Sequence, residues 1–349
     1  MNRSGIARAG VTGIGTAVPE VTDVADLLRT EPLTATGDDP VRRLRGRGLR
    51  YKDRATKLAL CAAQVALTDA GLLVDDELTV PAADVGVVVS TNLGNVDTVC
   101  DTVATIAAET YLGTSPMLLP ATASNVVASW TAITFGLRGA NLTLCNGPTS
   151  GLDAVHWARL LVASGRVRHV LVVGVEPAND PVRHLVAGGA PAGPVRVLDG
   201  AAALVLESAI AAAERGAAVR AEIGAYARRP TLELAVSGVE TTDPRPVGLW
   251  LPPAGSDLEP GGPSADLTAR FGECSGALGV LQCVAAVSWL DRNNADTKPF
   301  GRPEAGDVVL VAAGSGDAGG DDAAAALTLG PALARAEPRP AVTGAGVTR

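Results

Sequence analysis

The run from Asn141 to Glu176, NLTLCNGPTSGLDAVHWARLLVASGRVRHVLVVGVE, constrains the fold more than any other part of the chain. It reads as a short apolar strand (Leu142–Cys145), a tight polar turn (Asn146–Ser150) and a helix of about four turns (Gly151–Ser164). A second, wholly apolar strand follows at His169–Val175. In an α/β protein, a strand end that turns into a helix N-terminus is where a nucleophile or an anion is held. Here the residue standing in that place is Pro148.

Continuous apolar strands alternating with helices recur along all 349 residues, which implies a mainly parallel sheet covered on both faces. With 47% hydrophobic but only 3% aromatic residues, the interior must be built from Ala, Val and Leu, suited to close helix-on-sheet packing. A net charge of −8 without a basic stripe weighs against a nucleic-acid partner. The five cysteines, Cys61, Cys100, Cys145, Cys274 and Cys283, follow no repeated spacing, so neither a disulfide framework nor a zinc site is expected. The three histidines lie between His156 and His184 and leave little for a metal centre. No export signal and no apolar run of membrane-spanning length are seen, so a soluble, cytoplasmic protein without a membrane partner is expected.

In chain order, a strand is expected at Val11–Thr16, whose GIG lacks the third glycine of a dinucleotide fingerprint, and a short helix at Asp23–Arg29. The basic patch RRLRGRGLR occupies 42–50 in a polar loop. Asp53–Ala70 is an amphipathic helix with Leu58, Cys61, Ala62, Val65 and Ala66 on its apolar side and Gly71 at its C-cap. A buried strand at Val85–Val89 and helices at Cys100–Tyr111 and Asn125–Phe135 come next. Arg183–Pro194 reads as a loop, Ala201–Glu207 as a buried strand and Ser208–Arg215 as a short helix or turn. Beyond Gly216 strands are expected at Val219–Arg228 and Val247–Leu251, with 229–246 irregular and polar. Helices at Ala265–Arg270 and Gly276–Leu290, strands at Val308–Ala312 and Ala323–Leu329, and a tail complete the chain.

The central run resembles the nucleophile region of the β-ketoacyl synthases, condensing enzymes of the thiolase-like fold. Further likenesses fall in family order: VTGIGTAVPE at 11–20, DRATKLALCAAQVALTDAGL at 53–72, VGVVVSTNLG at 85–94, VRVLDGAAALVLE at 195–207 and FGECSGALGVLQCVAAV at 271–287. The resemblance implies two similar βαβ-rich halves, 1–215 and 216–349, in a layered α-β-α-β-α arrangement, the second half shortened around 229–263. It also implies that the nucleophilic cysteine should stand at Pro148, and that two histidines should stand near Trp250 and at Glu273. Proline has neither a thiol nor the backbone N–H that would help to form an oxyanion hole. An ionised Glu273 cannot donate a hydrogen bond to a thioester carbonyl.

An intact scaffold without its chemical groups is similar to the chain-length factor, the non-catalytic ketosynthase-like subunit of two-component polyketide systems; the compact second half suggests the highly reducing, polyene-forming kind. This implies a heterodimer with a catalytic ketosynthase, formed through the strand Leu142, Thr143, Leu144 and Cys145. It implies contact, through the complex, with an acyl carrier protein and its phosphopantetheine-bound chain, and no cofactor of its own. Side chains on helices 101–112 and 124–136 would set where the growing chain stops, with Thr105, Tyr111, Met117, Leu118 and Thr122 as candidates. Two alternatives remain open: an acyltransferase or thioester hydrolase using Cys145 or Glu273, and a stand-alone acyl-chain-binding homodimer.

Overall fold

A computed structural model describes residues 9–19, 21–29, 38–46, 48–188, 195–291, 300–314 and 324–332. The glycine-rich run at 315–323, part of the loop expected at 183–194 and all but the first residues of the C-terminal tail fall outside them. The strands are β1 (Ala9–Ala17), β2 (Leu73–Val74), β3 (Glu77–Leu78), β4 (Val85–Ser90), β5 (Asn141–Leu144), β6 (His169–Glu176) and β7 (Gly200–Ser208), then β8 (Ala221–Arg229), β9 (Val247–Leu251), β10 (Val308–Gly314) and β11 (Ala324–Pro331). The helices are α1 (Arg54–Asp69), α2 (Val96–Glu109), α3 (Val126–Phe135), α4 (Ser150–Ala163), α5 (Asp180–Val186), α6 (Ala209–Glu214), α7 (Leu232–Thr242), α8 (Leu267–Phe271) and α9 (Leu278–Leu290).

Nine strands form one sheet in the order β5-β4-β6-β7-β1-β8-β11-β10-β9, and β2 pairs with β3 in a small separate ribbon. The first five strands and the last four meet where β1 crosses β8, through only the pairs Gly10–Glu222 and Val11–Ala221. Each half of the sheet carries its own helices, so the molecule is layered. Side chains alternate across each strand, and the three apolar cores follow that period of two. Val85, Val87 and Val89 of β4 face α1 and α3, together with Leu171, Val173 and Val175 of β6. Val88, Val170 and Val172 face the other way, onto α4 and α9. Leu249, Leu251, Val309 and Val311 reach the same middle layer from the second half. Trp250, Leu310 and Ala312 point outward to α7. The result is the α-β-α-β-α stack of a thiolase-like fold.

Helix α9 lies in the middle layer and every one of its residues is buried, so its apolar character runs all round. Where it crosses α4 the backbones touch: a Cβ on Gly151 would lie 2.7 Å from Gly279 N, so only glycine fits. Gln282, the polar residue inside this helix, donates from Nε2 to Leu251 O (3.0 Å), Pro252 O (3.0 Å) and Ala312 O (2.8 Å), tying β9 to β10 at their C-terminal ends.

Four expectations need correcting. The sheet is mixed: β4 is parallel to β5 and β6, and β9 to β10, but β7, β1, β8 and β11 run antiparallel to their neighbours. Unbroken apolar strands report burial on both faces and say nothing about direction. Segment 229–246 contains α7, capped by Thr231, whose side chain accepts from Leu234 N, and its Leu232, Ala235, Val236 and Val239 form an apolar stripe. The start of the loop expected at 183–194 is instead the end of a short helix, Asp180–Val186, capped by Asn179. In α1, Val65 is exposed, whereas Leu58, Cys61, Ala62 and Ala66 are buried as expected.

Candidate functional site

The turn between β5 and α4 is built by hydrogen bonds from three other segments. Strand β5 ends at Leu144, so Cys145 lies beyond it and is exposed; the pairing strand starts and ends one residue earlier than expected. Gly147 takes φ +88°, a conformation that glycine supplies without steric cost. Pro148 follows, exposed, and Thr149 and Ser150 return to the interior at the start of α4. Ser150 N donates to Gly147 O at 3.1 Å, closing the turn.

Asn92, just past β4, holds this turn from the side. Its Nδ2 donates to Gly147 O and to Ser275 Oγ, both at 2.9 Å, and its Oδ1 accepts from Gly147 N at 3.2 Å. Ser150 Oγ lies 3.0 Å from the same Oδ1 and 2.8 Å from Asn146 Oδ1. Beneath Asn92 sits the fully buried Glu176, at the end of β6. Its carboxyl accepts from Asn92 N (2.7 Å), Leu93 N (3.0 Å), Gly276 N (3.1 Å) and Thr91 Oγ1 (3.3 Å). Burial pushes the group up to about 7, against the pull of those donors, which favour the charged form.

Behind the turn, buried Asp153 on α4 accepts from Thr149 Oγ1 at 2.9 Å, and from Asn146 Nδ2 and Tyr226 Oη. The Tyr226 ring stacks on His156, with centroids 4.0 Å apart. Burial, and then the charge of Arg159, keep His156 below the usual imidazole range, so it is neutral at pH 7. It serves packing.

The other expected positions separate. Glu273 is exposed; its backbone pairs with Arg196 and Leu198, and its Oε1 accepts from Ser275 N at 2.7 Å. It therefore stands next to a residue that touches Asn92, close to the turn by bonding. Trp250 does not join them: it is buried in the outer core with α7, its Nε1 donating to Leu258 O at 3.1 Å. The alternation of β9 turns Trp250 away from the middle layer and Leu251 toward it. Cys274 and Cys283 are buried thiols held well above the usual range by burial, and so are unreactive.

A pocket of about 240 Å³ lies between the start of α1 and α2. Thr105 and Leu118 line it, but Tyr111, Met117 and Thr122 do not. Tyr111 and Met117 are 72% and 62% exposed, and with Leu112 they extend an apolar surface instead. Helix α2 has no buried residue. Its Val99, Val103 and Ile106 face outward, while Thr98, Thr102 and Thr105 are turned in. Near the pocket, Lys52 Nζ lies 3.2 Å from the centre of the Trp130 ring, a cation–π contact, and burial lowers its pKa.

Asn92, Glu176, Ser275 and Asp153 were not among the residues singled out from sequence. A legible signal existed for one of them: Glu176 is a charge closing a strand that is otherwise wholly apolar. Among the described residues no helix is long and apolar enough to cross a membrane.

Comparison with known proteins agrees with this architecture. Residues 34–190 match the family model of the β-ketoacyl synthase N-terminal domain. The 3-oxoacyl-[acyl-carrier-protein] synthase 2 of Vibrio harveyi is 30% identical over 193 residues, covering 50% of this chain and 46% of the relative. The same enzyme of Synechocystis is 26% identical over 194 residues, again 50% of this chain and 46% of the relative. The chain thus spans about half the length of these relatives. Among solved structures, a type II polyketide synthase acyl-carrier protein in complex with its ketosynthase bound to the hexaketide superposes with a TM-score of 0.73 at 18% identity, covering 93% of this chain and 99% of that one. The ishigamide ketosynthase/chain length factor gives 0.71 at 19% identity with the same coverage. The chain has a thiolase-like fold, and residues 34–190 are similar in sequence to the β-ketoacyl synthase N-terminal domain.

Proposed function

We propose that this chain is the non-catalytic partner of a cysteine-bearing ketosynthase, shaping the space in which a carrier-bound acyl chain grows. One observation supports the reading: the turn where the resemblance places a condensing enzyme's nucleophile is firmly hydrogen-bonded, while its apex residue is Pro148. A polypeptide with that apex has no thiol there to acylate, yet Asn92, Glu176 and Ser275 still hold the turn in shape. Such a turn is useful as a surface.

The proposed partner surface is apolar. Val103 and Ile106 on α2 are 60% and 45% exposed, and Leu112 is 77% exposed. Strand β5 is the edge of the sheet, with its outer side unpaired among the described residues. An exposed apolar helix face and an open strand edge are what a large, obligate interface covers. In this reading residues 1–215 supply the pairing strand and the turn, and residues 216–349 form the second half.

The solved complexes of similar fold contain an acyl-carrier protein and a chain length factor by name, and the proposal extends those partners to this chain. Thr105 and Leu118, which meet at the pocket beneath α2, are the wall residues of choice; Tyr111, Met117 and Thr122 act in this proposal through the seam with the partner. The polyene-forming kind would lay a ketoreduced and dehydrated chain along that wall.

A second reading has one observation in its favour. Cys145 is exposed and three residues from Pro148, so a thioester-using enzyme of altered chemistry could reach it. Mass spectrometry after incubation with an acyl thioester separates the readings: an adduct on Cys145 supports the enzyme. The subunit reading is tested by co-expression with a cysteine-bearing homologue. A stable one-to-one complex whose product lengthens when Leu118 is cut to Ala supports it. Condensation by this chain alone, with every companion absent, overturns it.

A further inference from the structure

Helix α2 is amphipathic in the inverse of the usual sense, and its inner face deserves a reading as chemistry. Thr98, Thr102 and Thr105 follow the i, i+4, i+7 spacing of one face and all line the pocket, joined by Asp101 and, across from them, Thr114. Leu118, Leu119 and Ala121 form an apolar side of the same pocket. The threonines thus give the pocket a hydroxyl-bearing face and the leucines an apolar one, with Arg50, Tyr51, Lys52 and Ser115 also in the lining. From Thr98 to Thr105 the helix rises about 10 Å, the reach of a short acyl chain.

The hydroxyl protons of the wall threonines are directed into the chain itself, that of Thr98 toward Asp97 Oδ1 at 3.4 Å. Thr102 Oγ1 donates to Thr98 O at 2.7 Å, Thr105 Oγ1 to Asp101 O at 2.8 Å and Thr114 Oγ1 to Tyr111 O at 2.6 Å. What each oxygen has left is lone pairs, and the Asp101 carboxylate adds more acceptors. Charged side chains line the pocket as well. Lys52 sits over Trp130, Arg50 over the Tyr51 ring, and Asp53 accepts from Thr56 N and Oγ1. A ligand lying on the threonine wall itself therefore meets acceptors and is held best when it brings donors.

We propose that this pocket binds an acyl chain bearing hydroxyl groups in preference to a fully reduced one. The hydroxyls donate to Thr98, Thr102 and Thr105, and the carbon backbone lies against Leu118 and Leu119. A reduced chain leaves the threonine oxygens without donors once water is displaced, which is the source of discrimination. The inference rests on the reading of the chain as a ketosynthase-like subunit, since that reading puts an acyl chain beside α2. It narrows that reading to chains that have passed a ketoreduction and have not yet been dehydrated.

The test is a calorimetric titration of the full chain, in complex with its cysteine-bearing partner where the two co-purify. The probes are the N-acetylcysteamine thioesters of 3-hydroxyoctanoate and of octanoate. The hydroxy probe should bind about fivefold more tightly, the gain of roughly one neutral hydrogen bond. In the Thr102→Val/Thr105→Val variant, which keeps side-chain volume, that ratio should fall to about one without loss of octanoyl binding; Thr102→Ser/Thr105→Ser should retain it. Equal or tighter octanoyl binding by the unaltered chain overturns the proposal, as does a ratio that survives the valine substitutions. Failure to form a complex counts against the subunit reading alone, because the ratio is still measured on the chain by itself.

Discussion

The side chain of Asn92 pairs with the backbone of Gly147 as a neighbouring strand would, giving a hydrogen bond to its carbonyl at 2.9 Å and taking one from its N–H at 3.2 Å. Those two bonds bridge two strand ends that no ladder joins at this point. They fix the residue before Pro148, and with it the entry into α4.

Cutting Asn92 to Ala removes both bonds, together with the contacts to Ser150 and Ser275, and leaves Gly147 N without its partner while Gly147 O keeps Ser150. The expected cost is about 2 kcal/mol, seen as a lower urea midpoint with unchanged slope. Asn92→Asp keeps the acceptor and loses the donor, so it should fall between Ala and Asn. An alanine variant as stable as the unaltered chain would show that the turn is held by something else.

Glu176 makes stability fall as pH rises. Its pKa in the folded chain is pushed by burial up to about 7, against an ordinary value of 4.5, so between those two pH values the folded state holds a proton that the unfolded state has released. Folding is penalised progressively through that window and fully above it, by a few kcal/mol at ~1.4 kcal/mol per pKa unit. Glu207 works in the opposite direction. Burial would raise it, but His169, Arg215 and Thr12 around it outweigh burial and bring it to about 2. Its stabilisation is present above pH 4.5 and lost as pH falls toward 2. The stability optimum should therefore lie near pH 5, measured by urea unfolding across pH 3–8. Glu176→Gln should flatten the slope between pH 4.5 and 7 while lowering stability at pH 5, because its amide group must face backbone donors.

Much of this architecture was legible in the chain, for reasons that can be named. The three strands read as buried on both faces, around Val87, Val172 and Leu204, are indeed covered on both, since an apolar run has only one stable place. Strand direction was not legible, because burial is the same for parallel and antiparallel neighbours. Helix α7 was missed because its stripe of Leu232, Ala235, Val236 and Val239 is interleaved with Glu233, Ser237, Gly238 and Glu240, which dilute the period. At the site, Pro148 could be placed by its distance from the SGLDA run. Asn92 could not, since nothing in its own neighbourhood announces a bond to a residue 55 positions away.

The outward face of α2 gives a prediction about solubility. Val103→Asp with Ile106→Asp places charge on exposed apolar positions whose truncation leaves no cavity. The free chain should become more soluble and less prone to associate, with a thermal midpoint close to that of the parent. In co-expression the same variant should fail to retain its partner. A variant that pairs normally would place the interface elsewhere.

Restoring the missing thiol tests whether the turn still offers a reactive site. Pro148 is exposed and stands two residues before α4, whose N-terminal dipole favours a thiolate. Pro148→Cys should therefore be alkylated by iodoacetamide at neutral pH several-fold faster than Cys100 or Cys145, both of which are exposed and serve as internal references. The substitution also returns a backbone N–H at the apex, one donor for a developing oxyanion. It does not return the two imidazoles that the resemblance expects here, because an acidic side chain, Glu273, stands at one place and Trp250, near the other, is buried on the far side of β9. The expected result is a thiol that takes an acyl group from a reactive thioester and then holds it, without carbon–carbon bond formation. Peptide mapping of the acylated variant reads the first half of that statement, and product analysis in the absence of any companion reads the second. Alkylation no faster than at Cys145 would mean that the helix terminus is not presented to the apex side chain, and that the turn has kept its hydrogen bonds but lost its aim.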